Sequence, residues 1–406
     1  MAKKRRLCPQ SVWDEEQLSA AFREAGVKDV HVRRLHRHLL RHPGAAWADV
    51  PALPKAAQAV LEQRFVRATS SLEACQRSAD GTTTKLLVRL QDGLQVEAVI
   101  MTYSHPKDVG SAASSEAGAD RGKGEGGHPQ AGRQRHTLCV SSQVGCQMGC
   151  TFCATGTMGL VGDLTAGEIL EQLVYALDVA HVRNVVFMGM GEPLNNWEPV
   201  KAAVRAMVDP TMFGLKRSKV TVSTVGVVPR IRALAAELPG VSLALSLHAP
   251  NQTLRQRIVP SARAYPLERL MAAVAEYQAV SGMRVFVEYV MLAGVNDASE
   301  TAHELGALLT ASGHKLLVNL IPWNPVFSPG MAFAAPDSGA VAAFGAILRE
   351  QYGLFTTVRQ EMGQDISGAC GQLVIEHGGS GCSKDGRHTP TDIEELARRP
   401  AATPVA

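Results

Sequence analysis

The chain has 406 residues, of which 46% are hydrophobic, and its formal net charge at pH 7 is +3. This length allows a sizeable core and more than one minimal domain, while so small a charge gives no argument for nucleic-acid binding by itself. No run of eighteen apolar residues occurs, so the sequence predicts no membrane span and no membrane partner.

The N-terminus is basic, but no apolar stretch follows the run Lys3-Lys4-Arg5-Arg6. The sequence therefore predicts neither a secretory signal nor an organelle transit peptide. Four of the eight cysteines lie within residues 139–153. This uneven placement is unlike a secreted disulfide framework, and we expect a cytoplasmic protein in a reducing compartment.

Residues 1–75 are predicted to form a small helical domain. The stretch His31–His42 holds four Arg, four His and no acidic residue. It can be read as a solvated amphipathic helix or as a surface that contacts RNA phosphates. The pattern alone slightly favours the first reading, with the buried side formed by Val32, Leu35, Leu39 and Leu40.

Residues 76–105 are predicted to contain a β-hairpin. Two apolar strands, Lys85–Leu90 and Gln95–Ile100, flank the turn signal Asp92-Gly93. Glu97 interrupts the second strand, either as a residue of its polar face or as a functional carboxylate.

Two segments have the composition of disordered chain. Residues 106–135 are rich in Gly, Ser and Ala with scattered charge and no periodicity, which predicts a disordered insertion. Residues 377–406 have a similar composition, apart from a possible short helix at Asp392–Arg398. We expect no chemistry from this tail.

Residues 136–376 alternate between apolar strand-like runs and helical patterns. The first helix opens with Thr165-x-x-Glu168, a capping-box signature. Such alternation predicts an α/β domain with a parallel sheet, closed or half-closed into a barrel, whose active site lies at the carboxyl ends of the strands. The predicted strands are Leu138–Ser141, Asn184–Met188, Lys219–Thr224, Val241–Leu247, Arg284–Met291, Lys315–Pro322 and Phe355–Val358.

Just after the first of these strands come Cys146, Cys150 and Cys153, spaced C-x3-C-x2-C. Three thiolates on a Gly-punctuated loop are one ligand short of a closed zinc site, and they leave one iron of a [4Fe–4S] cluster without a protein ligand. Such an open iron can bind and reduce a small molecule. Zinc with a distant fourth ligand remains an alternative, as do three unrelated buried cysteines.

Polar or Gly residues follow the second, third, fourth and sixth predicted strands. Each one alone is weak evidence, because a Ser or Asn at a strand end usually caps the next helix. Together, beside three cysteines, they indicate a ring of groups for a ligand with an amino acid, a ribose and an adenine. They occur in Gly189–Pro193, Ser223–Gly226, Ser246–His248 and Ile321–Pro325.

Two outlying cysteines have a suggestive context. Cys139 lies at the first barrel strand, and Cys370 lies on a Gly-rich loop after the last one. A lone Cys is more often a small buried hydrophobe, but a thiol on such a loop could reach the barrel mouth. Cys8, Cys75 and Cys382 have no such context and are interpreted as structural.

Longer strings make a family resemblance specific. The chain resembles the radical S-adenosylmethionine (SAM) enzymes, and within them the dual-specificity RNA methyltransferases, from about residue 84 to 376. This implies an α/β fold, a radical SAM partial (β/α)6 barrel with a small N-terminal helical domain and a β-hairpin extension. The strings are Cys139–Cys146, Met188–Leu194, Ser246–Asn251 and Ala369–Leu373.

The resemblance implies roles for the matching residues. A [4Fe–4S] cluster would be held by Cys146, Cys150 and Cys153. Cys370 would carry a methyl group, Cys139 would be its disulfide partner, and Glu97 would be the base. SAM would be bound by Gly191, Glu192, Ser223, Ser246, Leu247, His248 and Asn324.

The family methylates C2 of an adenosine in the peptidyl-transferase centre of 23S rRNA and, in some members, of tRNA. The resemblance implies that one SAM methylates Cys370, and that a second is cleaved to a radical that abstracts hydrogen from this methyl group. The carbon would then add to adenine, Glu97 would take the ring proton, and Cys139 would release the product as a disulfide. We expect a monomer served by flavodoxin, ferredoxin or a similar electron donor.

Two departures from the family pattern bear on the substrate. The family often carries an Arg-Asn pair where this chain has Gly159–Thr165, and the insertion 106–135 separates Glu97 from Cys139. An antibiotic-resistance relative that methylates C8 of the same adenosine shares nearly all the motifs. Further alternatives are an inactive RNA-binding or ribosome-assembly relative, and another radical SAM reaction, which would not need the Cys139/Cys370 pair.

Overall fold

A computed structural model describes residues 5, 7–104, 134–311, 313, 315–326 and 333–373. The predicted insertion therefore lies outside the described residues except for its last two positions, which begin a strand at Gln134. The predicted tail 377–406, with Cys382, lies wholly outside them.

Three helices make up most of the N-terminal region, and a short parallel pair of strands ties its two ends together. The second helix buries Val32, Leu35, His36 and Leu39, so one of its three histidines belongs to the apolar face. Leu40 is half-buried, and Arg33, Arg37 and Arg41 are exposed. The elements are β1 (Gln10–Ser11), α1 (Glu15–Glu24), α2 (Val30–Arg41), α3 (Lys55–Arg64) and β2 (Phe65–Val66).

The rest of the described chain alternates strands and helices. Its strands are β3 (Ser71–Arg77), β4 (Thr83–Arg89), β5 (Gln95–Ser104), β6 (Gln134–Cys139), β7 (Gln143–Cys146), β8 (Gly159–Asp163), β9 (Val182–Phe187), β10 (Val220–Thr224), β11 (Ser242–Ser246), β12 (Val285–Met291), β13 (Leu316–Pro322) and β14 (Phe355–Val358). Its helices are α4 (Ala154–Thr157), α5 (Ala166–Val179), α6 (Trp197–Val208), α7 (Val228–Glu237), α8 (Gln252–Ile258), α9 (Leu267–Ser281), α10 (Ser299–Thr310) and α11 (Ser338–Glu350).

Ten strands form one open sheet in the order β14-β13-β12-β11-β10-β9-β6-β5-β4-β3. From β6 to β14 the neighbours are parallel, because a helix returns the chain between most strands, and this part is the partial barrel. From β3 to β6, each strand is antiparallel to its neighbour in the sheet. The hairpin is therefore an extension of the barrel sheet, with Val99 of β5 opposite Cys139 of β6.

The barrel strands bury continuous apolar runs, as parallel strands covered on both faces require. The predicted capping box of α5 is confirmed: Thr165 accepts from the amide of Glu168, whose side chain accepts from the amide of Thr165. In the ranges that the structure describes, no helix is long and apolar enough to cross a membrane.

Candidate active site

A cavity of about 950 Å³, open to solvent, lies at the carboxyl ends of the barrel strands. It is lined by most of the residues that the sequence predicted to be catalytic, SAM-binding or metal-binding. The fold brings them together from loops that are up to more than two hundred residues apart. They are Cys146, Cys150, Cys153, Gly191, Glu192, Ser223, Ser246, His248, Asn324 and Cys370. Of the other predicted residues, Leu247, Cys139 and Glu97 do not line this cavity.

The cysteine loop between β7 and α4 is fixed from several directions. Gly145 has φ +71°, and a Cβ there would lie 1.9 Å from the carbonyl oxygen of Gly159 on the paired strand β8. The amide of Thr151 donates to the carbonyl of Ile258 at 3.0 Å, and the amide of Ala154 donates to that of Gly371 at 2.8 Å. The loop is thus held by α8 on one side and by the Cys370 segment on the other.

The three thiols sit in surroundings that disfavour a bare thiolate. Burial raises the pKa of Cys146 to about 12, and burial followed by the neighbouring cysteines raises that of Cys150 well above its usual value. Burial also raises the pKa of Cys153. A metal that replaces these protons would stabilise the thiolates. Within the described residues, no three or more His, Cys, Asp or Glu side chains are grouped so that they could hold a metal ion.

Glu192 is the buried acid of the cavity, with 2% of its surface exposed. Its carboxylate accepts hydrogen bonds from the amides of Leu194 at 3.1 Å and Val225 at 2.9 Å. Burial raises the pKa of Glu192 to about 7, because these bonds only partly offset the loss of water. A cationic ligand group, such as an ammonium, would favour its charged form.

The glycines before Glu192 are required by close packing. Gly191 has φ +100°, and a Cβ there would lie 2.5 Å from the Cβ of Gln143. A Cβ on Gly189 would lie 2.7 Å from the carbonyl oxygen of Val140. At Gly189 and Gly191 the crowding comes from the neighbouring segment Val140–Gln143, which leaves no room for a side chain.

The ends of β10 and β11 meet beside this turn. The hydroxyls of Ser223 and Ser246 lie 3.2 Å apart. His248 has φ +64°, an uncommon conformation for a residue with a side chain, and its Nδ1 accepts from the amide of Val290 at 3.0 Å. Burial lowers the pKa of His248 to about 3, so it is a neutral ring, packed edge-on against Phe152 at 4.8 Å.

Arg255 on α8 was missed by the sequence reasoning. It is 1% exposed and donates to the carbonyls of Leu247 at 3.0 Å, Ser246 at 3.3 Å and Val225. These three carbonyls belong to the strand-end loops that the sequence predicted to bind a ligand. Leu247 is itself fully buried, so its part in the site is this backbone carbonyl.

Glu288 on β12 was also missed, because it falls inside an apolar strand. It lines the cavity with 4% of its surface exposed. Its Oε1 accepts from Asn319 at 2.9 Å, while Oε2 has no hydrogen-bond partner among the residues described. A buried acceptor of this kind fits a ligand that brings hydroxyl or amino donors, as the ribose of SAM does.

The Cys370 loop is held against the end of β13. Asn324 donates from Nδ2 to the carbonyl of Cys370 at 3.0 Å and accepts from Gln364 at 3.1 Å. Gln372 donates to the carbonyl of Pro325 at 2.8 Å. Asn324 thus positions Cys370 as well as lining the cavity.

A second cavity of about 530 Å³ adjoins the first, and Cys370 lines both. Cys139 lines only the second, where both cysteines are free thiols. Burial, and then Cys370, raise the pKa of Cys139 to about 12, which Arg359 counteracts. The predicted thiol pair is thus brought to one small cavity.

Glu97 lies on the same face of β5 as Val99 and Met101, which line the second cavity. It is 1% exposed, and its Oε1 lies 3.1 Å from the ammonium of Lys85 on β4. Lys85 is itself buried, which the strand pattern did not predict. The predicted base is therefore paired with a cation on the neighbouring strand.

Comparisons with known proteins place these features in a family. Residues 140–305 match the Radical SAM superfamily model. The probable dual-specificity RNA methyltransferase RlmN of Moorella thermoacetica is 41% identical over 378 residues, which cover 91% of this chain and 96% of the relative. The chain belongs to the RlmN-type radical SAM RNA methyltransferases.

Other members agree in sequence and in fold. The ribosomal RNA large subunit methyltransferase N of Nitrosopumilus maritimus is 40% identical over 335 residues, covering 80% of this chain and 86% of that protein. The crystal structure of a radical SAM methyltransferase from Sphaerobacter thermophilus is 37% identical with a TM-score of 0.76, covering 90% of this chain and 99% of that one. The predicted radical SAM fold is confirmed.

Membership of this radical SAM family makes the chain a SAM-dependent methyltransferase that uses a [4Fe–4S] cluster. The donor set fits both groups. The three cysteines share one wall of the cavity, while Glu192, the two serines and the unpartnered oxygen of Glu288 lie around the rest of it. A [4Fe–4S] cluster rather than zinc is therefore the group that this family uses, and Cys146, Cys150 and Cys153 stay its predicted ligands.

Proposed function

We propose that this enzyme methylates C2 of an adenosine in 23S rRNA and in tRNA through a methyl group carried on Cys370. The observation that carries the proposal is the position of Cys370, which lines both the cavity of the cluster cysteines and the cavity of Cys139. A thiol at this junction can take a methyl group from the SAM cavity and pass it to an adenine. The second thiol then releases the methylated RNA.

The cluster and SAM, when bound, supply the methyl group, an electron and a carbon radical. They are held by Cys146, Cys150 and Cys153, and by the turn that carries Glu192. The protein's own thiols do the rest. Cys370 is the soft nucleophile that takes a methyl group by displacement, since the ring carbon of adenine is not nucleophilic enough to do so.

Release of the product needs a base and a second thiol. Glu97 accepts the proton that leaves the ring carbon, and the Lys85 ammonium lies 3.1 Å from this carboxylate. Cys139 then attacks the sulfur of Cys370 as a thiolate, in ordinary thiol–disulfide chemistry. Both groups belong to neighbouring strands, β5 and β6, so the sheet fixes their spacing.

RNA is the substrate class in the relatives' names, and the exposed arginines of α2 offer it a phosphate-contacting surface. A base inside folded RNA must be unstacked to reach the cavities, at a cost of a few kcal/mol. We place the reaction in the cytoplasm, with a monomeric enzyme reduced by flavodoxin or ferredoxin.

Nucleoside mass spectrometry tests the proposal. Enzyme reconstituted anaerobically with iron and sulfide is given SAM, a reductant and either rRNA or tRNA. We expect 2-methyladenosine from the wild type, none from Cys370→Ala, and normal product from the matched control Cys8→Ala, whose thiol is exposed. Formation of 8-methyladenosine alone would overturn the regiochemistry, and methylation by Cys370→Ala would overturn the methyl-cysteine route.

A further inference from the structure

Arg359 is a half-buried cation that the reaction as described above does not use. It follows β14, its amide donates to the carbonyl of Leu320 at 2.8 Å, and its side chain lines both cavities. The guanidinium therefore lies at the same junction as Cys370, beside the cavity that Cys139 lines.

The hydrogen bonds that the structure records for this guanidinium go to thioether sulfurs. Nη1 donates to Met188 at 3.7 Å and Nη2 to Met101 at 3.9 Å. A thioether is a weak, uncharged acceptor, so these contacts hold the side chain in place without neutralising its charge. Its field therefore acts on the ionisable groups around the two cavities.

Four such groups face Arg359, from the Cys370 loop, β12, β5 and β6. The charge of Cys370 is the largest cause that raises the pKa of Arg359, and Glu288, Tyr103 and Cys139 raise it further. Glu288 has a partner in Asn319, and burial raises its pKa. Burial raises the pKa of Tyr103 as well, so at neutral pH Tyr103 is uncharged.

Cys139 has the greatest need of a nearby cation. It is 6% exposed, and burial followed by the charge of Cys370 raises its pKa to about 12, while Arg359 lowers it. In the release step the neighbouring sulfur of Cys370 is a thioether, so it no longer repels a second thiolate. Arg359 then faces the Cys139 thiolate, which is the nucleophile, and the carboxyl group of Glu288.

We propose that Arg359 is a positioning residue for release of the methylated RNA, acting through the sulfur of Cys139 by stabilising its thiolate. This inference rests on the proposed function. In the step, a Cys139–Cys370 disulfide bond forms and the bond from Cys370 sulfur to the methylene carbon breaks. The electron pair goes to that carbon, which takes up a proton to become the methyl group. A dithiol reductant then returns both thiols.

The test follows the covalent protein–RNA adduct on denaturing gels, in reconstituted full-length enzyme between pH 6.5 and 9. We expect Arg359→Gln to form the adduct but release it about tenfold more slowly than wild type at pH 7.5, since an adjacent opposite charge shifts such a pKa by one unit or more. The release should recover as pH rises. Arg359→Lys, which keeps the charge, should release within about threefold of wild type.

Arg359→Lys separates this role from a structural one, because release by thiolate attack rises with pH whatever else slows it. If Arg359→Gln does not retain its cluster, Arg359→Met takes its place, because an unbranched thioether suits a cavity lined by Met101 and Met188. Release by the uncharged variant at the wild-type rate, or release by Arg359→Lys as slow as that of the uncharged variant, overturns the role of Arg359. In parallel, Cys139→Ala should hold the adduct at every pH. If Cys139→Ala forms no adduct, the methyl-cysteine route itself fails and the role of Arg359 falls with it.

Discussion

The buried pair Lys85–Glu97 gives a prediction whose size follows from the structure. The two side chains are 9% and 2% exposed and 3.1 Å apart. Removing one partner of a buried pair leaves a desolvated charge without its counter-ion and costs about 3 kcal/mol or more. We therefore expect Lys85→Met to lower the free energy of unfolding by about 3 kcal/mol.

The same hairpin supplies a matched control. Arg89 on β4 pairs with Glu73 on β3, but these side chains are 47% and 33% exposed. A surface pair of this kind contributes at most about 1 kcal/mol, so Arg89→Met should be nearly neutral. Urea unfolding followed by circular dichroism measures both variants under the same conditions.

A double-mutant cycle isolates the pair itself. Glu97→Gln removes the charge that Lys85→Met leaves behind, so the double variant should recover much of the stability that the single lysine variant loses. The reasoning is refuted if Lys85→Met is no more destabilising than Arg89→Met.

Three further predictions concern tightly packed or buried residues, two at the site and one in the N-terminal helices. Gly191→Ala should lower the free energy of unfolding by about 2 kcal/mol and weaken SAM binding, measured by calorimetry, because its Cβ would clash at φ +100°. Gly44→Ala, which has open space around it, should change neither quantity. Equal behaviour of the two variants would contradict the packing argument. Arg255→Met should weaken SAM binding about tenfold, since three loop carbonyls lose their donor, and unchanged affinity would show that the loops hold themselves. Burial lowers the pKa of His36 to about 4 from its usual 6.5, so the free energy of unfolding should fall by about 3 kcal/mol as the pH drops from 6.5 to 4. His36→Phe should flatten this part of the curve of stability against pH. An unchanged slope would exclude His36 as its source.

The sequence predicted those parts of the site that spacing and strand ends determine. Cys146, Cys150 and Cys153 lie on one loop, and the side chains after β9, β10, β11 and β13 must meet because parallel strands end at one edge. Predictions of this kind need only local patterns and the fold class. Glu192 is one example: it lines the cavity, and its role in binding SAM stays a prediction.

The buried residues that the sequence analysis missed depend on partners that are distant in the chain. His36 lies in a run of basic residues, yet it is buried because its ring stacks on Trp13 and bonds the carbonyl of Val12. Arg255 is one of several arginines near α8, and only the converging carbonyls of distant loops make it internal. Lys85 is an ordinary strand residue until Glu97 is placed diagonally across the hairpin. No periodicity carries this information.

In the proposed function, the Cys370 loop has two tasks. Cys370 must be close enough to the SAM cavity to be methylated, and close enough to Cys139 to be released from the product. Asn324 and Gln372 tie the segment around Cys370 to the end of β13, and Ala154 in the cysteine loop donates to the carbonyl of the next residue. Since these bonds come from both sides of the junction, they hold the backbone of the loop in place. On this proposal, a rotation of the Cys370 side chain would be enough to carry the methyl group from one cavity to the other, and such a rotation is fast compared with turnover.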